Sequence, residues 1–532
     1  MEPQPVTEPE PSRTGARPWH RNPHLGLGLI IAATAVTVFV GFLGPSSVTL
    51  TLGPRDGSLL PPWYLPPDTI ATPNEWFVSG LIALVLLLGA AGLGLTLRGV
   101  AAGWQPNLKR LFGVGLGLNL VTIMVPPMTS ADVLMYAAYG RLQRLGLNPY
   151  DITPAEVFRS QYDEVLRWVE RPWHDTPSVY GPLSSWTQWF ANILGGDNMH
   201  DIVFWLQVST VLPFIVCCIA VIWLAHGDAK LQARAILLTI ANPLMIWSVV
   251  AGAHNEAWAI MFAIIGVLFM RRSAFGAGLM IGLAGCFKLS IGLYGLAMLW
   301  GYRKQPRDLV LLCLGTLVPM GLAYGLWEPS ALVQVLRNTT YVSVGSWVQP
   351  LYHLLTWPLS VGTTKLILNV VAVVLLVVIA WMLSRVLPWR AVSGLSTSVA
   401  PQDDPITITV RTALLLSVAW LTTSLYTLAW YDLMVWAPLA LLGATRLDKL
   451  FVWRGVFLSL SYVPGRAVEM SDELIFVTSR IRDTISPIVQ IGVLVAIVAW
   501  WWIQWYRPRR DRRRADRAAD PDAAMAGVSD GG

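Results

Sequence analysis

Apolar runs separated by short polar stretches recur from residue 25 to residue 506. Runs at about 25–43, 76–97, 111–127, 201–225, 308–327, 365–387, 410–428 and 485–506 approach or exceed the roughly 18 to 20 residues needed to cross hydrocarbon. Shorter runs lie at Ala235–Gly252, Ala257–Met270, Ala274–Phe287, Leu289–Trp300, 433–445 and 451–463. The pattern predicts an all-α polytopic membrane protein of about 14 transmembrane helices (12–14). Lys and Arg gather in 98–110, 226–234, 271–272, 303–307 and 507–514, which places these segments and both termini inside. Loops 128–200, 328–362 and 464–484 then lie outside, and the polar loop 388–409 lies inside. The stretch 128–200 mixes acids, arginines and aromatics and is expected to be a folded extracytoplasmic loop after span 3. Three regions follow: a disordered cytoplasmic N-terminus (1–24), a multi-spanning domain (25–506), and a basic, disordered cytoplasmic tail (507–532).

Composition sharpens this picture. Hydrophobic residues make up 54% of the chain and charged residues 13%, with a mean hydropathy of +0.53. Soluble domains carry about 25% charged residues, so a soluble enzyme is excluded. The net charge of +6 comes largely from the C-terminal run beside the last span. It suits orientation and anionic lipid headgroups, and no nucleic-acid partner is expected. Cys217, Cys218, Cys286 and Cys313 all fall inside expected spans, where cysteine is a small packing residue. The first apolar run follows a long polar leader without a small-residue cleavage site and is expected to be retained.

Polar residues gather at one level of this topology. After span 3, Thr129 or Ser130 can cap a helix that Gly146 and Pro149 end. On it Asp132, Tyr136, Tyr139 and Gln143 share one face, suited to a sugar. An Asp in a first turn is also favoured by the helix dipole alone. His254 and Glu256 sit at the tip of one helical hairpin and Lys288 at the tip of the next; Trp430 and Tyr431 join two later spans. The outer loop 328–362 adds Trp347 and His353. A polar hairpin turn or a snorkelling lysine would account for each feature singly. Their convergence on one leaflet points to a site, because ionisable groups at membrane depth face a cavity or a partner.

The chemistry is constrained by location. Outside the membrane a lipid-borne sugar is the natural donor. Lys288 and His254, with Arg141, are candidates to hold its phosphate. A phosphate departs without a general acid, so one carboxylate, Asp132, suffices as base for the acceptor hydroxyl. Attack with one base and no nucleophile inverts the anomeric centre, unlike the paired carboxylates of hydrolases.

Ser130-Ala131-Asp132-Val133, Tyr136-Ala137-Ala138, Gly140-Arg141-Leu142, Asn148-Pro149-Tyr150, Tyr180-Gly181-Pro182, Ala241-Asn242-Pro243, Gly252-Ala253-His254-Asn255-Glu256, Phe287-Lys288 and Ala429-Trp430-Tyr431 together form a specific set. In these the chain resembles the polyprenyl-phosphomannose-dependent α-1,6-mannosyltransferases of mycobacteria and corynebacteria. Those are members of the C-type multi-spanning glycosyltransferase superfamily. The resemblance implies the C-type architecture in the plasma membrane with the active site facing outside. It implies a polyprenyl-phosphomannose donor and the growing mannan of lipomannan and lipoarabinomannan as acceptor, with the lipid bilayer as surroundings. It places the catalytic acid at Asp132, and Tyr136, Tyr139, Tyr180, Glu256, Trp347, His353, Trp430 and Tyr431 are expected around the sugars. Ser130 stands where many relatives place a second acid, and Glu256 where Asp is common, so no metal and no cofactor is expected. Two alternatives stay open: a polyprenyl-phosphoarabinose-dependent arabinosyltransferase, and a transporter or flippase of lipid-linked sugar. The asymmetric loop 128–200 and the lack of an obvious internal repeat count against the transporter.

Overall fold

The computed structural model describes residues 22–55, 57–66, 69, 72–171, 173–337, 341–392, 399–466 and 468–509. Most of the expected N-terminal and C-terminal tails, and residues 393–398 of loop 388–409, lie outside the described residues. Every regular element among the described residues is a helix. In chain order they begin α1 (Pro23–Phe42), α2 (Glu75–Ala101), α3 (Leu108–Thr122), α4 (Asp132–Arg144), α5 (Pro154–Ser160), α6 (Pro182–Gly195) and α7 (Met199–Leu224). Then come α8 (Ala229–Leu238), α9 (Pro243–Met245), α10 (Glu256–Phe269), α11 (Ala274–Phe287), α12 (Gly292–Gly301), α13 (Pro306–Met320) and α14 (Pro329–Arg337). The last are α15 (Gln349–Leu355), α16 (Val361–Val386), α17 (Pro405–Thr423), α18 (Leu433–Leu442), α19 (Arg446–Leu460), α20 (Asp472–Arg480) and α21 (Ser486–Trp501).

Eight helical stretches are long and apolar enough to cross a membrane: Pro23–Phe42, Glu75–Ala101, Met199–Leu224, Ala229–Val250, Pro306–Trp327, Val361–Val386, Pro405–Thr423 and Asp472–Arg509. They coincide with eight of the fourteen expected spans, and the other six are shorter helices. Glu256–Phe269, Ala274–Phe287, Leu289–Gly301 and Ala429–Leu442 are apolar but of 10–17 residues. Helices α3 and α19 have 15 residues each. At about 1.5 Å per residue, fifteen residues reach roughly 22 Å, short of a hydrocarbon core of about 30 Å. The runs expected at 111–127 and 451–463 overrun the helices that form there, which end at Thr122 and Leu460.

The long helices start where short polar side chains satisfy free amides. Asn22 caps α1 and Asn74 caps α2, each accepting from backbone N–H groups of the first turn. These two helices pack along each other with Gly26 facing Gly92, where an added methyl would meet the opposing carbonyl at 2.8 Å. The span Ala229–Val250 is broken. Helix α8 stops at Leu238, Asn242 accepts from the Leu244 amide at 3.1 Å to start α9, and a π turn follows at Ile246–Val250. Asn119 of α3 donates to the buried Ile240 carbonyl at 2.8 Å. Irregular backbone at this depth survives because the whole stretch is buried in protein.

Segment 128–200 forms α4, α5 and α6, with α4 packed on α6 and α7. Arg466 ties three distant segments together: it pairs with Glu170 and donates to the carbonyls of Ser46 and Thr49. Asp432, which follows Trp430 and Tyr431, is wholly buried against Arg454, which also donates to the Leu421 carbonyl at 3.0 Å. Breaking such a pair from one side leaves an uncompensated charge. Arg454→Met is expected to cost about 3–5 kcal/mol in unfolding experiments, and Arg454→Met with Asp432→Leu to recover most of it.

Candidate active site

Helix α4 starts at Asp132 after a strained lead. Thr129 has φ +81°, Ala131 is the N-cap residue, and Ser130 Oγ accepts from the Asp132 amide at 3.2 Å. The expected cap at Thr129 or Ser130 is thus a turn one residue ahead of the helix. Its end is as expected: Gly146 has φ +78° and the Leu147 amide donates back to the Leu142 carbonyl at 2.9 Å.

The second strained residue is Ala253, with φ +53°. Among the described residues Thr129 and Ala253 are the two non-glycines in the left-handed region, and both flank the site. Such conformations cost about 1–3 kcal/mol each and persist only where packing enforces them. Here Gly252 lets the segments touch, since a methyl there would lie 2.3 Å from Thr129 Oγ1. The result is a wholly buried His254. Its Nε2 shares a hydrogen bond of 3.2 Å with Thr129 Oγ1, and its Nδ1 lies 3.4 Å from Tyr136 Oη and 3.6 Å from Asp132 Oδ2. Trp430 stacks on the imidazole, centroids 3.6 Å apart and planes 9° apart. Burial, then the Lys288 charge, hold the imidazole well below its usual range, so it is neutral.

Lys288 sits where α11 ends in extended backbone. Its ammonium pairs with Glu256 and lies 3.6 Å from the centre of the Tyr431 ring. The carbonyl freed at Phe287 accepts from the Gly181 amide and from Ser184 Oγ, both at 3.2 Å. A methyl on Gly181 would lie 2.1 Å from the Cys286 carbonyl, so the Tyr180-Gly181-Pro182 segment needs glycine for this approach. The Asp132 carboxyl is pushed up to about 7, by burial first and by the Glu256 charge second, against the pull of Lys288.

Asp132, Glu256 and Lys288 form the polar end of a cavity of about 420 Å³. Its walls are aromatic: Tyr139, Tyr180, Trp430 and Tyr431 of the expected residues, joined by Trp173, Tyr341, Trp420 and Tyr426. The cavity continues to Leu336 and to Ala372, Val373 and Leu376 of α16, a helix whose Val370, Val373 and Val377 are exposed. Tyr136 lies just behind the wall, edge-on to Tyr180 at 5.0 Å.

Other expected residues lie elsewhere. Arg141 is held by Asp163 at 2.8 Å and by Asp197, so its charge is already matched away from the cavity. Trp347 is buried with Val348, Leu368 and Leu425, and His353 is exposed on α15 beside Tyr352. His254, expected at the phosphate, stands behind Asp132 with no exposed ring edge. Trp173, Tyr341, Trp420 and Tyr426 went unnoticed in the sequence, where no spacing links them to Asp132, and Thr129 was expected only as a helix cap. Among the described residues no group of three or more His, Cys, Asp or Glu is placed to hold a metal ion.

Residues 70–302 match the family described as alpha-(1->6)-mannopyranosyltransferase, N-terminal domain. That segment includes Asp132, His254, Glu256 and Lys288. An alpha-(1->6)-mannopyranosyltransferase of Mycobacterium tuberculosis is 33% identical over 153 residues, 29% of this chain and 26% of that protein. Alpha-(1->6)-mannopyranosyltransferase A of Corynebacterium glutamicum is 28% identical over 156 residues, 29% of this chain and 31% of that protein. The chain thus spans about a quarter to a third of the length of these curated relatives. No solved structure matches.

The packing around Thr129 generates a test. A methyl on Gly465 would lie 1.7 Å from the Thr129 carbonyl oxygen, so backbone must move. Gly465→Ala is expected to destabilise the protein by about 1–3 kcal/mol. Gly94→Ala, in α2 with nothing within 4 Å of the new methyl, is expected to leave or raise the melting temperature.

Proposed function

We propose that this protein transfers mannose, with inversion, from a polyprenyl phosphate mannose to a growing α-1,6-mannan lipoglycan on the outer face of the plasma membrane. One observation carries the reading: Asp132, Glu256 and Lys288 line one cavity together with aromatic rings and with Ala372, Val373 and Leu376 of α16. A lipid phosphate sugar combines the same kinds of surface: a charged group, a sugar and an apolar chain. The names of the relatives supply the sugar and the linkage.

In this reading Asp132 is the general base for the acceptor hydroxyl. Lys288 takes the donor's phosphate, with Glu256 as the counter-ion that keeps the ammonium charged and fixed until donor arrives. The departing phosphate carries its own negative charge, and Lys288 stabilises it increasingly as the glycosidic bond breaks. His254 is a positioning residue: clamped by Thr129, Tyr136 and Trp430, it sets the direction of the Asp132 carboxylate. Tyr139, Tyr180, Trp430 and Tyr431 offer ring faces and hydroxyls to the sugars. The apolar residues of α16 and Leu336 receive the first part of the polyprenyl chain. Arg141, Trp347 and His353 have no part in it. The reaction needs no cofactor, because the lipid-linked sugar is itself the activated substrate.

The test is transfer by outward-facing membranes from labelled polyprenyl-phosphomannose to short α-1,6-mannosides. A β-mannosyl phosphate is expected to give an α-mannoside. A base raised to about 7 works only when deprotonated, so kcat is expected to hold above that pH and to fall as pH drops through it. Retained configuration, or transfer from the arabinose donor alone, would overturn the assignment.

A further inference from the structure

A second concavity, of about 430 Å³, lies at the C-terminal end of α4 and shares no lining residue with the cavity that holds Asp132. Trp186 and Trp189 of α6 and Trp327, just before α14, face it. The two α6 indoles stack, with centroids 6.5 Å and planes 29° apart. Gln143, Asn148 and Glu328 line the same concavity. Asn148 Nδ2 donates to Glu328 Oε2 at 3.2 Å, which fixes the carboxylate. Gln143 Oε1 is buried and has no hydrogen-bond partner among the described residues. A buried acceptor without a partner costs about 1–3 kcal/mol, so it points to a donor supplied from outside.

The chemistry of this lining selects a class of ligand. Flat indole faces suit the C–H face of a sugar ring, and amide and carboxylate oxygens accept from its hydroxyls. No Lys, Arg or His lines the concavity, and Glu328 repels an anion, so a lipid phosphate is a poor fit. A simple interfacial tryptophan belt accounts for neither the buried Gln143 acceptor nor the Glu328 carboxylate in the same lining.

We propose that this concavity binds neutral hexose units and serves as a remote subsite for the glycan acceptor. The assignment as acceptor subsite rests on the transferase reading above. The two sites are built on one rigid element: Gln143 lies eleven residues along α4 from Asp132, roughly 16 Å. They are also joined by Tyr150, next to the lining residue Pro149, whose hydroxyl donates to the carbonyl of Tyr180 at 3.0 Å. A chain of a few sugars covers that separation, so the subsite favours long acceptors over short ones. It also gives a role to Asn148-Pro149-Tyr150, which the reaction centre leaves unused.

The test uses the full chain in lipid nanodiscs with a short and a long neutral α-1,6-oligomannoside. Trp186→Ala with Trp327→Ala removes two rings that are 48% and 47% exposed, and Gln143→Leu removes the unpartnered acceptor. Affinity for the long oligomannoside, by calorimetry, is expected to fall roughly tenfold in each variant. The KM for the long acceptor should rise in step, while kcat and KM for the short one stay at wild-type values. Equal affinity in wild type and variants, no binding by wild type, or equal loss with short and long acceptors would overturn the subsite. Length-dependent binding through these residues without any mannose transfer would overturn the transferase reading and leave the sugar site standing. Mannose transfer whose KM is the same for both lengths in every variant would do the reverse.

Discussion

Two carboxylates, half-buried Asp132 and buried Glu256, stand beside one half-buried ammonium, that of Lys288, and the surrounding structure is arranged to make this tolerable. Taking charges out of water costs several kcal/mol per ion, and their attraction repays it only when geometry is good. The three residues stand at helix ends: Asp132 and Glu256 open α4 and α10, and Lys288 follows the last residue of α11. Such ends free backbone groups, and each has a specific answer. The Phe287 carbonyl is met by Gly181 and Ser184, and the Ala251 carbonyl by the Met128 amide at 2.8 Å. The glycines that permit these approaches, Gly181 and Gly252, have no room for a side chain.

The same arrangement makes a prepared reaction centre. Burial first, and the Glu256 charge second, make the Asp132 carboxyl hold a proton far more readily than a solvated aspartate, against the pull of Lys288. A base is most useful when its proton affinity lies near the working pH. Behind it, the stacked pair of Trp430 and His254 and the left-handed Thr129 and Ala253 leave little freedom for reorientation. Strain held by packing at this point means less reorganisation when charge moves during reaction.

Much of this was legible in the sequence, for identifiable reasons. Apolar runs located the eight long helices, because length and hydropathy alone decide whether a helix can cross hydrocarbon. They misled at 451–463, where a helix of 15 residues begins instead at Arg446 and carries Asp448 and the buried Arg454. Polar residues set in apolar surroundings located Asp132, Glu256 and Lys288, which do come together. What spacing could not reveal was partnership across distance. Arg141 meets Asp163 and Asp197, 22 and 56 residues away, and so is turned from the cavity that Tyr139, two positions earlier, lines. His254 is consumed by Thr129 and Tyr136, more than a hundred residues before it. Tyr341 and Tyr426 reach the same wall through a topology that no local pattern announces.

The central claim is that Asp132 removes the acceptor's proton, and one substitution isolates it. Asp132→Asn keeps the size of the side chain and the start of α4 but cannot act as a base. Turnover of the purified variant should fall by about 10² to 10⁴, with donor affinity near that of wild type because the base touches the acceptor and not the phosphate. Turnover within a few-fold of wild type would contradict the account and leave Asp132 as a helix-start residue, worth only about 0.3–1 kcal/mol of stability.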